Sequence, residues 1–206
     1  MPPPYIAAVR WDALGTLLVT SLAIMGTPGP ATISLTAAGS TYGVRRSAGY
    51  LVGIIAGTSA VLIAVAAGVT ATLLAVPAVR PTLIVAAAAY ILWLAYHIAT
   101  APPLSDGTAR AGSPGVVGGT VLGVANPKAW VAIAAVFASA RLAGNATVDA
   151  AAKVAVLLFM IVVINSTWLA AGASLGPLLR DPQRGRAVNL ALAALLVVAA
   201  VLAVIR

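Results

Sequence analysis

Long apolar runs, each about the length of a bilayer crossing, alternate along this chain with short polar linkers. Six runs cover approximately residues 13–36, 48–76, 82–100, 116–140, 153–175 and 187–205. A helix needs roughly 20 mostly apolar residues to cross a hydrocarbon core about 30 Å thick, so each run predicts one transmembrane helix. The linkers Tyr42 to Arg46, Val76 to Pro81, Pro102 to Pro114, Arg141 to Asp149 and Gly176 to Arg186 hold nearly all the charge and many of the prolines. The runs are continuous, without the alternation over about ten residues that marks barrel strands. The expected fold is an all-α membrane protein of six transmembrane helices, a single domain over residues 1–206. Arg10 before an apolar run resembles a secretory signal, but the run continues past Pro30 and five more spans follow, which favours a retained helix.

Two runs are interrupted. The first carries Gly26-Thr27-Pro28-Gly29-Pro30-Ala31 and the fourth carries Val124-Ala125-Asn126-Pro127-Lys128-Ala129. From Ala13 to Gly26 a helix rises only about 21 Å, and from Ala129 to Ala140 about 18 Å. Neither piece crosses the hydrocarbon alone, so both breaks fall within it and Lys128 lies near mid-span. Six spans divide as 3 + 3, and three helices per half insert the second half upside down. The expected architecture is therefore an inverted repeat with broken first and fourth helices, its halves about 11–100 and 115–206. In transporters built this way, helices interrupted at corresponding positions point to the binding site.

Proline removes an amide donor and clashes with the carbonyl one turn back, so each break frees main-chain groups. Such backbone survives at membrane depth only when buried in protein or lining a wet cavity. Both breaks should therefore face inward and face each other. Half-helices starting after Pro30 and Pro127 would offer N–H groups to a carboxylate. The half-helices before them would offer carbonyls to an ammonium, and together the two describe a receptor for a zwitterion such as an amino acid. The expected translocation residues are Pro28, Gly29, Pro30, Asn126, Pro127, Lys128 and Asn165. The plainer reading of the prolines is a structural kink, and that of Lys128 is snorkelling to an interface. A mid-span position makes snorkelling awkward against a cost of roughly 2.5–3.5 kcal/mol on insertion scales.

Asn165-Ser166-Thr167 sits deep in the fifth span, and at least one of the three must point into the bundle, for an interhelical hydrogen bond or for substrate. Gly49, Gly53 and Gly57, continued by Ala64 and Gly68, form a small-residue stripe that predicts close helix packing. Tyr90, Trp93 and Tyr96 read as packing and interfacial belt, and His97 as an interfacial residue.

Composition agrees with lipid as solvent: 62% of residues are hydrophobic, 8% are charged, and mean hydropathy is +1.07. With no cysteine, disulfides, thiolate metal sites and thiol catalysis are excluded. The net charge of +8 is scattered among loops, which suits anchoring against anionic lipid and not nucleic-acid binding. All four acidic residues, Asp12, Asp106, Asp149 and Asp181, fall in linkers or at a helix start. No intramembrane carboxylate relay and no catalytic set is in view, so neither an enzyme nor a cofactor is expected. Arg45, Arg46, Arg110, Arg180, Arg184 and Arg186 lie on one side and Arg10, Arg80, Arg141, Lys153 and Arg206 on the other. The denser clusters favour the first set as cytoplasmic, with both termini outside.

The Thr-Pro-Gly-Pro of the first helix, the linker Gly43-Val44-Arg45-Arg46-Ser47-Ala48-Gly49, the third-helix ending Tyr90-Ile91-Leu92-Trp93-Leu94-Ala95 and Asn126-Pro127-Lys128-Ala129 occur in an order and spacing that form a specific set. The chain resembles the LysE/RhtB family of amino-acid exporters over about two thirds of its length. The resemblance implies a small six-span protein of the plasma (inner) membrane that exports amino acids or relatives such as homoserine, drawing on the proton gradient. The function expected is secondary active export of small zwitterions by alternating access around the facing breaks, with an amino acid and membrane lipid as partners; a homodimer is left open. The rivals are a cation exporter, for which ligands are scarce, and a non-transporting membrane scaffold, which would pack a dry interface between the breaks.

Overall fold

The computed structural model describes residues 10–68, 114–175 and 182–205, with residues 85, 89, 92, 95, 96, 99 and 100. Among them every element is helical: α1 (Trp11–Met25), α2 (Pro30–Ala66), α3 (Val116–Ala125), α4 (Pro127–Ser139), α5 (Ala146–Ser174) and α6 (Pro182–Ile205). By length and composition α2 and α5 can each cross a membrane, and α3 with α4, bent by 59°, forms a third such span; α1 is a shorter apolar helix. The expected third span, 82–100, lies largely outside the described residues, and so do Tyr90, Trp93 and His97; Tyr96 is exposed.

The 37 residues of α2 are not one rod, because Gly43 interrupts them with φ 75 and ψ 168. That combination is essentially open to glycine alone. Residues 34 and 50 would stand about 24 Å apart along a straight helix, yet Tyr50 donates its hydroxyl to Ser34 Oγ at 3.1 Å and Ser47 Oγ donates to the Ala38 carbonyl at 3.0 Å. The chain reverses on a single residue into arms 30–42 and 44–66. The expected first span is accordingly α1 plus the first arm, and the expected linker Tyr42 to Arg46 is a tight corner with Arg45 and Arg46 already helical.

Two sets of close backbone contacts hold these arms. A Cβ placed on Gly57 would lie 3.0 Å from the Gly123 Cα, and one on Gly123 would lie 2.8 Å from the Ile54 carbonyl oxygen, so the second arm and α3 touch main chain to main chain. The first arm meets α5 in the same way, since a Cβ on Gly172 would stand 2.6 Å from the Thr36 Cα. Gly53 and Gly57 behave as the stripe predicts, while Gly49 meets only Val116 and Gly68 does not belong to it. Gly68 lies beyond the helix with φ 74 and donates its amide to the Val65 carbonyl, ending the arm.

α1 starts where Arg10 donates its amide to the Leu142 carbonyl after α4, at 3.1 Å, and ends beside Lys128 at the start of α4. The two helices are therefore antiparallel neighbours. At the α4–α5 corner Asp149 forms a 2.8 Å ion pair with Lys153, accepts the Leu142 and Ala143 amides, and leaves Lys153 Nζ 5.0 Å from the Phe137 ring centroid. Lys153 is thus a buried structural cation and not the loop charge expected. One apolar core gathers Leu35, Tyr50, Ile54, Leu122 and Leu169; a second gathers Leu17, Leu62, Ile133, Leu157 and Ile161.

Candidate functional site

The two breaks meet where these cores join. Pro28 and Pro30 have no N–H to close the last turn of α1, which strands carbonyls along residues 24 to 28. Those of Ile24, Gly26, Thr27 and Pro28 are each met by a side chain. Thr27 Oγ1 donates to the Ile24 carbonyl at 2.8 Å, and the Trp168 indole of α5 donates to the Gly26 carbonyl at 3.2 Å. Lys128 Nζ crosses from the other break and donates to the Thr27 carbonyl, to Thr27 Oγ1 at 2.8 Å and to the Pro28 carbonyl at 3.3 Å. On the far side of the break the Gly29 amide donates to Thr32 Oγ1 at 2.8 Å, and the Gly29 carbonyl accepts the Ile33 amide as α2 begins.

At the second break Asn126 adopts an extended conformation with φ −71 and ψ 105, and its side chain accepts the Lys128 amide at 3.1 Å, a helix N-cap. The Trp130 indole donates to the Val124 carbonyl at 2.8 Å. Pro127 takes the first helical position, where a missing N–H costs nothing. Each break is thus closed by a tryptophan on one stranded carbonyl and a polar side chain on one stranded amide.

Beside this junction lies a cavity of about 50 Å³. Its polar lining is Thr32, Thr58, Asn126, Lys128 and Asn165, and its apolar lining is Met25, Ala31, Ala129, Ala132, Ile133, Ile161 and Ile164. Of the residues expected from sequence, Gly29, Asn126, Lys128 and Asn165 line it. Pro28 contributes its carbonyl to Lys128, while Pro30 and Pro127 start the helices on either side. The amide groups expected to stay free are in part satisfied by Thr32 and Asn126. The carbonyls expected to await an ammonium hold the protein's own, that of Lys128. Asn165 bonds within its own helix, Nδ2 to the Ile161 carbonyl at 2.8 Å, and Thr167 is exposed. Sequence reasoning did not single out Thr27, Thr32 or Trp168. The signal for the first two was the need of each proline break for nearby hydroxyls; Trp168 offered none. Among the described residues no acidic side chain lines the cavity and no group of three metal-ligating side chains occurs.

The description LysE type translocator fits the sequence over residues 22–206. The chain belongs to this family. Relatives include the cysteine/O-acetylserine efflux proteins of Escherichia coli (strain K12) and Shigella flexneri, each 34% identical over 176 residues, which is 85% of this chain and 89% of theirs. That of Escherichia coli O139:H28 is 33% identical over the same coverage. No solved structure matches the chain. As a LysE-type translocator the protein is a multi-pass plasma-membrane exporter and not an enzyme.

Proposed function

We propose that this translocator is a secondary active exporter of small neutral amino acids, working by alternating access around the breaks at Pro28-Gly29-Pro30 and Asn126-Pro127-Lys128. The observation that carries the reading is the Lys128 side chain spanning from one break to the other beside a partly polar cavity. A zwitterion suits a lining with one cation and no acid, whereas a cationic side chain would meet Lys128 without a countercharge. The efflux relatives are named for cysteine and O-acetylserine, small uncharged side chains of the kind the Ala132, Ile133, Ile161 and Ile164 wall admits.

The chain acts as one transporter domain over residues 1–206, with six spans in inverted halves of about 11–100 and 115–206. Support comes from direction: α1 runs toward the cavity and α4 runs away from it alongside, each continuing through a proline break into or from a second half-helix. Exposed Val19, Leu22, Val131, Phe159, Val162 and Val198 form the lipid-facing surface. Arg45 and Arg46 lie on the cytoplasmic side. This orientation gains from the Asp149 partner of Lys153, which removes one loop cation from the opposite face.

The test is counterflow in proteoliposomes preloaded with unlabelled O-acetyl-L-serine, cysteine or homoserine, read as uptake of the labelled compound. At least one should accumulate several-fold above empty vesicles, and Lys128→Met should abolish it. Absence of counterflow for every small neutral amino acid would end the assignment.

A further inference from the structure

The geometry points to the oxygen cluster at the end of α1, the Thr27 and Pro28 carbonyls with the Thr27 hydroxyl, as the seat of the substrate's ammonium group, held in the empty carrier by Lys128 as a tethered stand-in. A substrate displaces the Lys128 ammonium from the cluster and receives it on its carboxylate. The inference rests on the exporter reading above and deepens it.

The first support is donor counting. A primary ammonium has three N–H donors and no acceptor, and Lys128 Nζ faces three acceptors. The Thr27 hydroxyl spends its hydrogen on the Ile24 carbonyl, so its oxygen is turned to accept. The cluster is therefore shaped for R–NH3+, the group that the lysine side chain and every α-amino acid share.

Charge supplies the second support. The ion pairs found among the described residues are Arg10 with Asp12 and Lys153 with Asp149, so no described carboxylate answers Lys128. Among the described residues its charge is balanced by the Thr27 and Pro28 carbonyl dipoles and the Thr27 hydroxyl. An arriving zwitterion brings an ammonium that fits the cluster and a carboxylate that lacks a cation. One exchange satisfies both and leaves the net charge of the protein side unchanged.

Space supplies the third. A cavity of about 50 Å³ admits a few waters and not an amino acid, since one water needs about 10–15 Å³ on this measure. Something must move, and the Lys128 stem lies directly across Gly29, where a Cβ would come within 2.6 Å of its Cδ. The bare glycine is what lets that stem reach the cluster, and its withdrawal opens the room the substrate needs.

The full-length protein in nanodiscs tests this with labelled ethylamine, an ammonium without a carboxylate. Wild type should bind it poorly, because Lys128 holds the seat and gains nothing in exchange. Lys128→Met, with Lys128→Gln as the milder variant, should bind ethylamine at least tenfold more tightly, and adding Thr27→Val should reverse at least fivefold of that gain. Binding no tighter than wild type in a folded variant, or a gain untouched by Thr27→Val, overturns the assignment. The wild-type chain gives a second readout free of mutation: dipolar coupling in solid-state NMR between 15N at Lys128 Nζ and 13C at the Thr27 carbonyl. It should be present without substrate and vanish under saturating O-acetyl-L-serine; persistence at saturation overturns the inference. Failure of the exporter reading looks different, as wild-type vesicles without amino-acid counterflow, while ethylamine binding reports on the seat alone.

Discussion

Breaking the Asp149–Lys153 pair should destabilise the protein unequally from its two ends. The side chains are 11% and 7% exposed and their charges stand 2.8 Å apart, so neither charge is well solvated once its partner is gone. Removing one member of a buried pair costs about 3–5 kcal/mol. Lys153→Met keeps the stem volume and leaves Asp149 the Leu142 and Ala143 amides, which places it near the low end, about 3 kcal/mol. Asp149→Asn keeps an oxygen for those amides and falls in the same range, about 3–5 kcal/mol. Asp149→Leu also orphans two buried amides at about 1–3 kcal/mol each and leaves the Lys153 ammonium beside the Phe137 ring without its counterion, so its loss should be the largest, above about 5 kcal/mol. The double variant Asp149→Asn with Lys153→Met should fall short of the summed single losses by about 2 kcal/mol, the signature of coupled partners. Reversible unfolding in mixed micelles, followed by tryptophan fluorescence, measures all four. Phe137 is nine residues along α4 from Lys128, about 14 Å, so counterflow in Lys153→Met should stay within twofold of wild type. Additive single losses, or Asp149→Leu no worse than Asp149→Asn, would refute this account of the corner.

Gly57→Val should push the second arm of α2 off α3, because the added carbons meet the Gly123 Cα and the Val124 amide with no side chain to give way; overpacking of about 1–3 kcal/mol should appear as a lowered melting temperature and reduced membrane yield. Gly43→Ala puts a Cβ on a φ of 75 and should cost about 1–3 kcal/mol although nothing crowds the position, so calorimetry should show a loss without any change in helix content by circular dichroism. Asn126→Ala removes the N-cap of α4 and should cost about 0.5–2 kcal/mol, while Asn126→Asp, which keeps an acceptor, should recover most of the melting temperature.

Sequence exposed the site better than it exposed the path of the chain. Pro28, Pro30 and Pro127 announce their effect without any neighbour, because a missing N–H is a property of the residue itself. Lys128 was legible for a similar reason, as a lone cation in an apolar run. Its partner was not, since the Thr27 and Pro28 carbonyls are main-chain atoms that every residue carries and no composition reveals which of them is left over. Trp168 was hidden because its contact with Gly26 spans 142 residues. The corner at Gly43 was read as a linker because Tyr42 to Arg46 is polar and basic, whereas its tightness comes from one backbone angle that a hydropathy pattern does not encode. Lys153 misled in the opposite direction. Its charge suggested a loop, and only the fold shows that Asp149, one turn earlier, brings it inside.

The reversal at Gly43 leaves no slack between the arms of α2. Because one arm is seated against α5 through Gly172 and the other against α3 through Gly57 and Gly123, the hairpin rivets these two elements of the second half of the sequence into a common chassis with the first. In the alternating-access exporter proposed above, strain introduced in that chassis would find its nearest relief at the Gly26 to Gly29 and Asn126 joints, making α1 and α4 the levers whose tilt would differ while the frame stays fixed.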